Sequence, residues 1–267
     1  MSLNFSIITP SYNQGVFLER TISSVLSQTV KPIKYLIFDG GSTDNTLEIL
    51  NKYQQQLCWV SEPDNGQTHA VNKGLKKVTG DIIGWLNSDD IYYPDALESV
   101  RVFFENNPEI DIVYGKANHI DINDQVIDAY PTEPWDKERL KNTCFISQPA
   151  VFFRRTVIDT YGLLDENLSY CMDYEYWMRL ALRGARFAYL PVVLAGTRLH
   201  QETKTLGQRI PVHEEINTML RKKLGKTPDR WLCIYACIYL EERRFIAGGE
   251  KRTVMAAPAI GLLVIYA

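Results

Sequence analysis

At 267 residues, 45% hydrophobic and 23% charged, the chain has the make-up of a folded globular protein with one large or two small domains. A net charge of -3 gives no electrostatic reason to expect nucleic acid as a partner. Five cysteines at no regular spacing speak against a disulfide framework and for a reducing compartment.

The first strand is predicted over Phe5-Ser6-Ile7-Ile8-Thr9, a β-rich run stopped by Pro10. Ser11 to Gly15 is a polar loop. Leu18, Ile22, Val25 and Leu26 then fall on one face of an amphipathic helix. Tyr35 to Phe38 reads as a second strand, ending in Asp39-Gly40-Gly41-Ser42-Thr43-Asp44, a turn that suits a helix start. A helix to about Tyr53 follows, then a strand over Cys58 to Val60. Val71, Gly74, Leu75 and Val78 predict a third helix. Ile82, Ile83, Trp85 and Leu86 form a short buried strand that ends abruptly in Asn87-Ser88-Asp89-Asp90.

Short apolar strands alternating with helices through residue 104 predict an α/β fold, with a mostly parallel central sheet and helices on both faces. Open sheets of this kind bind ligands at the strands' C-terminal edge. Here that edge carries Thr9 to Asn13, Asp39, Asp64 and the Asp89-Asp90 pair. Two adjacent carboxylates repel unless a cation relieves them, and a hard divalent ion held with substrate phosphates does so. The alternative for the Asp pair is a turn that caps the helix near Pro94. No Gly-rich loop ends in Lys-Ser or Lys-Thr and no Gly-x-Gly-x-x-Gly follows a strand, which argues against a P-loop kinase or a Rossmann dehydrogenase.

The second half is less regular. Strands are predicted over 111–117, 125–129 and 150–153, and at Phe187 to Leu190 before Pro191. Residues 131–142 read as a polar connection, 155–161 as a short helix and 172–183 as a longer one. Beyond about residue 205 a helix bearing Ile216, Met219 and Leu220 leads into a basic cluster of Arg221, Lys222, Lys223, Lys226 and Arg230. Trp231 to Leu240 is an uncharged run too short to span a bilayer, and Val254 to Ala267 is another uncharged run. Two readings of this tail stand side by side: a surface helix on an anionic membrane, or a helix docked on the domain. The N-terminus shows no basic region followed by an apolar core, so no signal peptide is expected and the location is read as cytoplasmic, peripheral to the inner membrane surface on the first of those readings.

Thr9-Pro10-Ser11-Tyr12-Asn13, Asp39 to Asp44, Asn87 to Asp90 and Met172-Asp173-Tyr174-Glu175-Tyr176-Trp177, in that order, resemble the family 2 glycosyltransferases. The resemblance implies a GT-A fold over residues 1–204 and leaves 205–267 as a C-terminal helical tail. It implies an inverting transfer of sugar from a nucleotide-diphospho-sugar, UDP favoured, to the hydroxyl of a glycan or lipid-linked acceptor, in polysaccharide, glycolipid or cell-envelope synthesis. By the same resemblance Thr9, Pro10, Tyr12, Asp39, Asp64, Lys73 and Asp89 are nucleotide-side residues. Asp90 and His200 are ligands of a divalent metal, Mn2+ or Mg2+, and Asp173 is the catalytic base. The chain departs from the family pattern twice, with Ser88 for the first acid of the metal motif and Met172 for the acid before the base. The first leaves Asp89 between metal and ribose. Each residue also has a plainer reading: Tyr12 packed on the helix cap, Asp39 in an Asx turn, Lys73 solvated on its helix, His200 structural, Asp173 a helix-start acid. A sugar nucleotidyltransferase, or a nucleotide-sugar-binding protein without turnover, are the alternatives; the first suits poorly a Thr9 to Gly15 loop without a basic residue.

Overall fold

The computed structural model describes residues 2–200 and 207–248. Strand β1 (Phe5–Ser11) is buried throughout, with β2 (Lys34–Asp39) and β4 (Ile82–Trp85) as parallel neighbours; β3 (Cys58–Ser61) pairs parallel with β2. The alternation of side chains along β1 divides the core. Phe5 and Ile7 pack with Leu18 and Ile22 of α1 (Gly15–Leu26) and Ile49 of α2 (Thr46–Lys52). Ile8 packs on the opposite face with Val71 and Leu75 of α3 (Gln67–Leu75). Gly74 permits that approach, since a Cβ there would sit 2.5 Å from Ile8 Cγ2. The helices thus cover both faces, as the run of apolar strands requires.

The later strands extend the same sheet. They are β5 (Ile91–Tyr92), β6 (Ile112–Ile120), β7 (Val126–Ala129), β8 (Val151–Arg154) and β9 (Phe187–Arg198). The order is β3-β2-β1-β4-β8-β6-β9-β5, with β7 on β6. Pairing with β4 and β6 puts β8 antiparallel to both, whereas β6 and β9 run parallel. Helices α4 (Ala96–Asn106), α5 (Lys137–Asn142), α6 (Thr156–Tyr161) and α7 (Met172–Leu182) complete this half, with one 3₁₀ turn at Gln148–Ala150.

Two sequence expectations change here. The last strand does not stop before Pro191 but continues to Arg198. The register jumps from Gly115↔Leu190 to Lys116↔Val193, so Pro191 bulges out of the ladder, where its missing N–H costs nothing. The polar connection at 131–142 contains α5, because Asp136 caps it by accepting from Glu138 N (2.8 Å) and Arg139 N (3.0 Å) and Leu140 is buried beneath.

Beyond residue 206 come α8 (Arg209–Leu224) and α9 (Asp229–Gly248). Val212, Ile216, Met219 and Leu220 of α8 and Trp231 of α9 share a core with Tyr174 and Trp177 of α7. Trp231 is fully buried, 5.4 Å from the Tyr174 ring, and donates its indole N–H to Lys141 O (3.2 Å). The docked reading therefore describes this part of the tail. The 204/205 boundary and the run from Val254 to Ala267 lie outside the described residues. Among the described residues no helix is long and apolar enough to cross a membrane.

Candidate active site

A cleft of about 780 Å³ opens at the C-terminal ends of β1 and β4 and reaches across to the start of α7. Pro10, Tyr12, Asp64, Asp89, Asp90, Asp173 and His200 all line it. Thr9, Asp39 and Lys73 do not. Thr9 is fully buried with its hydroxyl on Tyr35 Oη (3.2 Å). Lys73 is paired with Glu62 (2.8 Å). The Asp39 carboxylate is spent inside the loop, accepting from Ser42 Oγ (2.5 Å), Ser61 Oγ (2.6 Å) and the amides of Gly41 and Ser42. These three side chains are engaged within the protein and stand beside the cleft rather than on its lining. Asp39 shapes a turn in which Gly41 holds φ +85°, and Gly40 forms the wall. Asn13 ties this turn to the opening loop: its Oδ1 accepts from Thr43 N (2.8 Å) and its backbone N–H donates to Ser42 Oγ (2.7 Å). Tyr12 is left 61% exposed at the cleft mouth, an aromatic face free to stack on a base. Asp64 accepts from Gly66 N (2.8 Å) and turns the chain into α3.

The β4 end is held rigidly. Thr21 of α1 donates to Ser88 O (2.8 Å) and, alternatively, to Asp90 O (2.7 Å). Asp90 is buried and accepts from the backbone amide of Arg198 (2.9 Å). Burial, then the Asp89 carboxylate, push it well above the usual carboxylate range, with Arg198 pulling the other way. Asp89 meets His200 Nε2 at 3.0 Å, and the His200 ring lies 4.9 Å from Phe17.

Sequence reasoning gave no role to three residues that organise this end. The buried Arg198 guanidinium donates to Asp89 O (2.7 Å) and Asp121 O (2.6 Å), pairs with Asp124 and lies over Phe17. Asn87 accepts from Trp85 Nε1 (2.9 Å) and Gln67 Nε2 (2.8 Å) and donates to Gln148 Oε1 (2.9 Å). Gln148 in turn donates to Trp85 O (2.6 Å). A sequence signal was present for each. Asn87 opens the stretch that ends in the Asp pair, Arg198 stands just ahead of His200, and Gln148 is a polar residue shortly before a buried strand.

The donor set fits a hard divalent ion. Asp89 and Asp90 supply oxygen and His200 an imidazole nitrogen; burial is the first cause of the raised Asp90 carboxyl, and the adjacent Asp89 charge adds to it. Among the described residues no cluster of three such groups is assembled as a metal site.

Across the cleft, Asp173 is the second residue of α7 and is buried. Its Oδ1 accepts from Tyr174 N (2.7 Å). A helix N-terminus by itself favours the charged form of a carboxylate. Burial outweighs that and pushes the carboxyl up to about 6, in the range of a working general base. Its neighbours on α7 are structural: Glu175 is buried between Arg179 (3.0 Å) and Lys223 of α8 (2.5 Å), and Trp177 is core.

A family model described as Glycosyl transferase family 2 matches residues 6–162. An uncharacterized glycosyltransferase of Rickettsia typhi is 29% identical over 236 residues, 83% of this chain and 72% of the relative. The chondroitin synthase of Pasteurella multocida is 30% identical over 208 residues, 75% of this chain but 21% of that protein. Among solved structures, S. aureus TarS 1–349 in complex with UDP-GlcNAc is similar at a TM-score of 0.66 and 17% identity, over 94% of this chain and 77% of that one. The mannosyltransferase PcManGT from Pyrobaculum calidifontis, in complex with GDP-Man and Mn2+, gives 0.65 and 18%, over 88% and 69%.

Proposed function

The chain belongs to glycosyl transferase family 2, and from that premise we propose that it moves a sugar from a nucleotide-diphospho-sugar to an acceptor hydroxyl, with inversion at the anomeric carbon. It is a glycosyltransferase of the GT-A fold. The observation that carries the proposal is one cleft holding Asp89, Asp90 and His200 on one side and the buried Asp173 on the other. UDP is the favoured nucleotide, in keeping with the UDP-GlcNAc bound by TarS. The acceptor is a glycan or a lipid-linked acceptor, as for an enzyme of polysaccharide, glycolipid or cell-envelope glycan synthesis.

In this reading Tyr12 stacks on the base, and the Asp39 turn with Asp64 shapes the nucleotide side of the cleft. Asp90 and His200 would hold the divalent cation, with Asp89 beside them on the ribose side; when bound, the cation would neutralise charge on the leaving diphosphate. Asp173 takes the acceptor's proton. Single displacement needs a base and no nucleophile, so one carboxylate on the acceptor side suffices.

A thermal-shift screen of UDP-, GDP- and dTDP-sugars with Mn2+ tests the proposal. A rise in melting temperature with at least one donor is expected, and no shift with any would sink it. Asp90→Ala is expected to weaken UDP binding by about tenfold or more in the presence of Mn2+, the worth of a charge-assisted contact. Calorimetry giving the wild-type affinity would remove Asp90 from the metal side.

The apolar residues that α9 leaves outside suggest a membrane contact. Leu232 and Leu240 are 47% and 57% exposed, Cys233 and Cys237 are exposed between them, and Arg221, Lys222 and Lys226 are on the polar surface at the α8–α9 turn. A basic end and an apolar stripe suit an anionic bilayer surface. Wild type is expected to sediment with phosphatidylglycerol-containing vesicles more than a Leu232→Ser/Leu240→Ser variant. Equal partitioning of the two would end that idea.

A further inference from the structure

α7 begins without a side-chain cap of its own, because Cys171 ahead of it makes no capping hydrogen bond. The amides leading into that turn are met from α8 instead. Glu215 accepts from Ser169 N (2.9 Å), Tyr170 N (2.8 Å) and Cys171 N (2.8 Å). Tyr170 is held a second time, its hydroxyl donating to Gln208 Oε1 (2.5 Å) just before α8. Tyr170, Met172 and Asp173 all line the cleft, so the segment that α8 grips is the one that carries the base.

We propose that Glu215 is a positioning residue for Asp173: its carboxylate fixes residues 169–171 and so sets where α7 presents the base to the acceptor. The inference rests on the reading of Asp173 as the base. A carboxylate suits the task because its two oxygens take three N–H donors at once, as charge-assisted bonds. An amide has one acceptor oxygen and would turn an NH₂ against the remaining donors. Displacement of a base by about 1 Å costs on the order of 10²-fold in rate.

Glu215 also faces Asp173 electrostatically. The groups that surround Asp173 are the Tyr174 amide on its own helix, the Cys144 and Cys171 thiols, and Glu215 from α8. Burial is the larger cause of the raised Asp173 carboxyl, and the Glu215 charge adds to it. Removing that charge lets Asp173 ionise at lower pH.

The test uses full-length Glu215→Gln and Glu215→Asp, with UDP release from the donor that gives the largest thermal shift. Glu215→Gln is expected to lose about 10²-fold in kcat at neutral pH, to bind UDP with Mn2+ as wild type does by calorimetry, and to move the acidic limb of its pH profile downward. A purely structural Glu215 would lower the melting temperature and leave kcat of the folded protein near wild type, so wild-type kcat in folded Glu215→Gln overturns the proposal. Glu215→Asp keeps the charge and shortens the reach. It is expected to hold the wild-type limb with reduced kcat, and wild-type kcat in that variant overturns the proposal even where Glu215→Gln does not fold. Failure of the wild type itself to bind UDP or any donor would instead refute the glycosyl-transfer reading, and this inference with it.

Discussion

Asp173→Asn is expected to bind nucleotide normally and to turn over donor at least about 10²-fold more slowly, the usual scale for loss of a general base. Asn keeps the shape and the oxygen that accepts from Tyr174 N, so the turn at the start of α7 survives. What it loses is the site for the acceptor's proton. The same substitution carries a stability signature of opposite sign. Asp173 has its folded-state pKa raised from 3.8 to about 6 by burial. Folding therefore favours the neutral acid: that contribution is whole below about pH 4 and is lost as pH rises through about 6. At pH 7 the ionised carboxylate costs the fold about 3 kcal/mol, because each tenfold weakening of the acid on folding is worth about 1.4 kcal/mol. Asp173→Asn, which cannot ionise, is expected to melt above wild type at pH 7 and to lose that advantage near pH 4. Wild-type kcat should fall on the acid side of about pH 6. Near-normal turnover in the variant, or a melting difference that ignores pH, would remove Asp173 from this role.

Such a trade of stability for chemistry could not be read from residue types. Met172-Asp173 reads as a helix-start acid, and a helix dipole alone favours the charged form of such a carboxylate. The burial that reverses the direction comes from Cys171, Met172 and Tyr174 packing into a core shared with α8 and α9. The parallel half of the sheet, by contrast, was legible. Strands buried on both faces leave continuous apolar runs, and β1, β2 and β4 each ended within a residue or two of where those runs stop. The place of β8 beside β4 was not legible, because pairing between strands far apart in the chain leaves no local pattern. Asp39 shows the same limit at the site. Its position at a strand end was visible, but the Ser61 hydroxyl that occupies it comes from a different strand. Glu215 had no signal at all, being a helix acid whose partners are backbone amides.

Those distant contacts make a strong expectation about the C-terminal helices: the fragment ending at residue 204 should not fold cooperatively. Its removal of α8 and α9 uncovers Tyr174 and Trp177, empties the space of the fully buried Trp231, and takes Lys223 from the buried Glu175 carboxylate. A single large-to-small change at Trp231 should alone cost about 3–5 kcal/mol. That is a large part of the roughly 5–15 kcal/mol that holds a domain of this kind together. Losing the helix pair also strips Glu215 from the amides ahead of α7, leaving donors on the catalytic segment without their acceptor. Near-ultraviolet circular dichroism and thermal melts of the 1–204 fragment, of Trp231→Ala and of the full chain are expected to grade in that order from non-cooperative to most stable. A 1–204 fragment that melts cooperatively and binds UDP as tightly as the full chain would show that α8 and α9 are an appendage, and that the wall of the cleft around Asp173 stands without them.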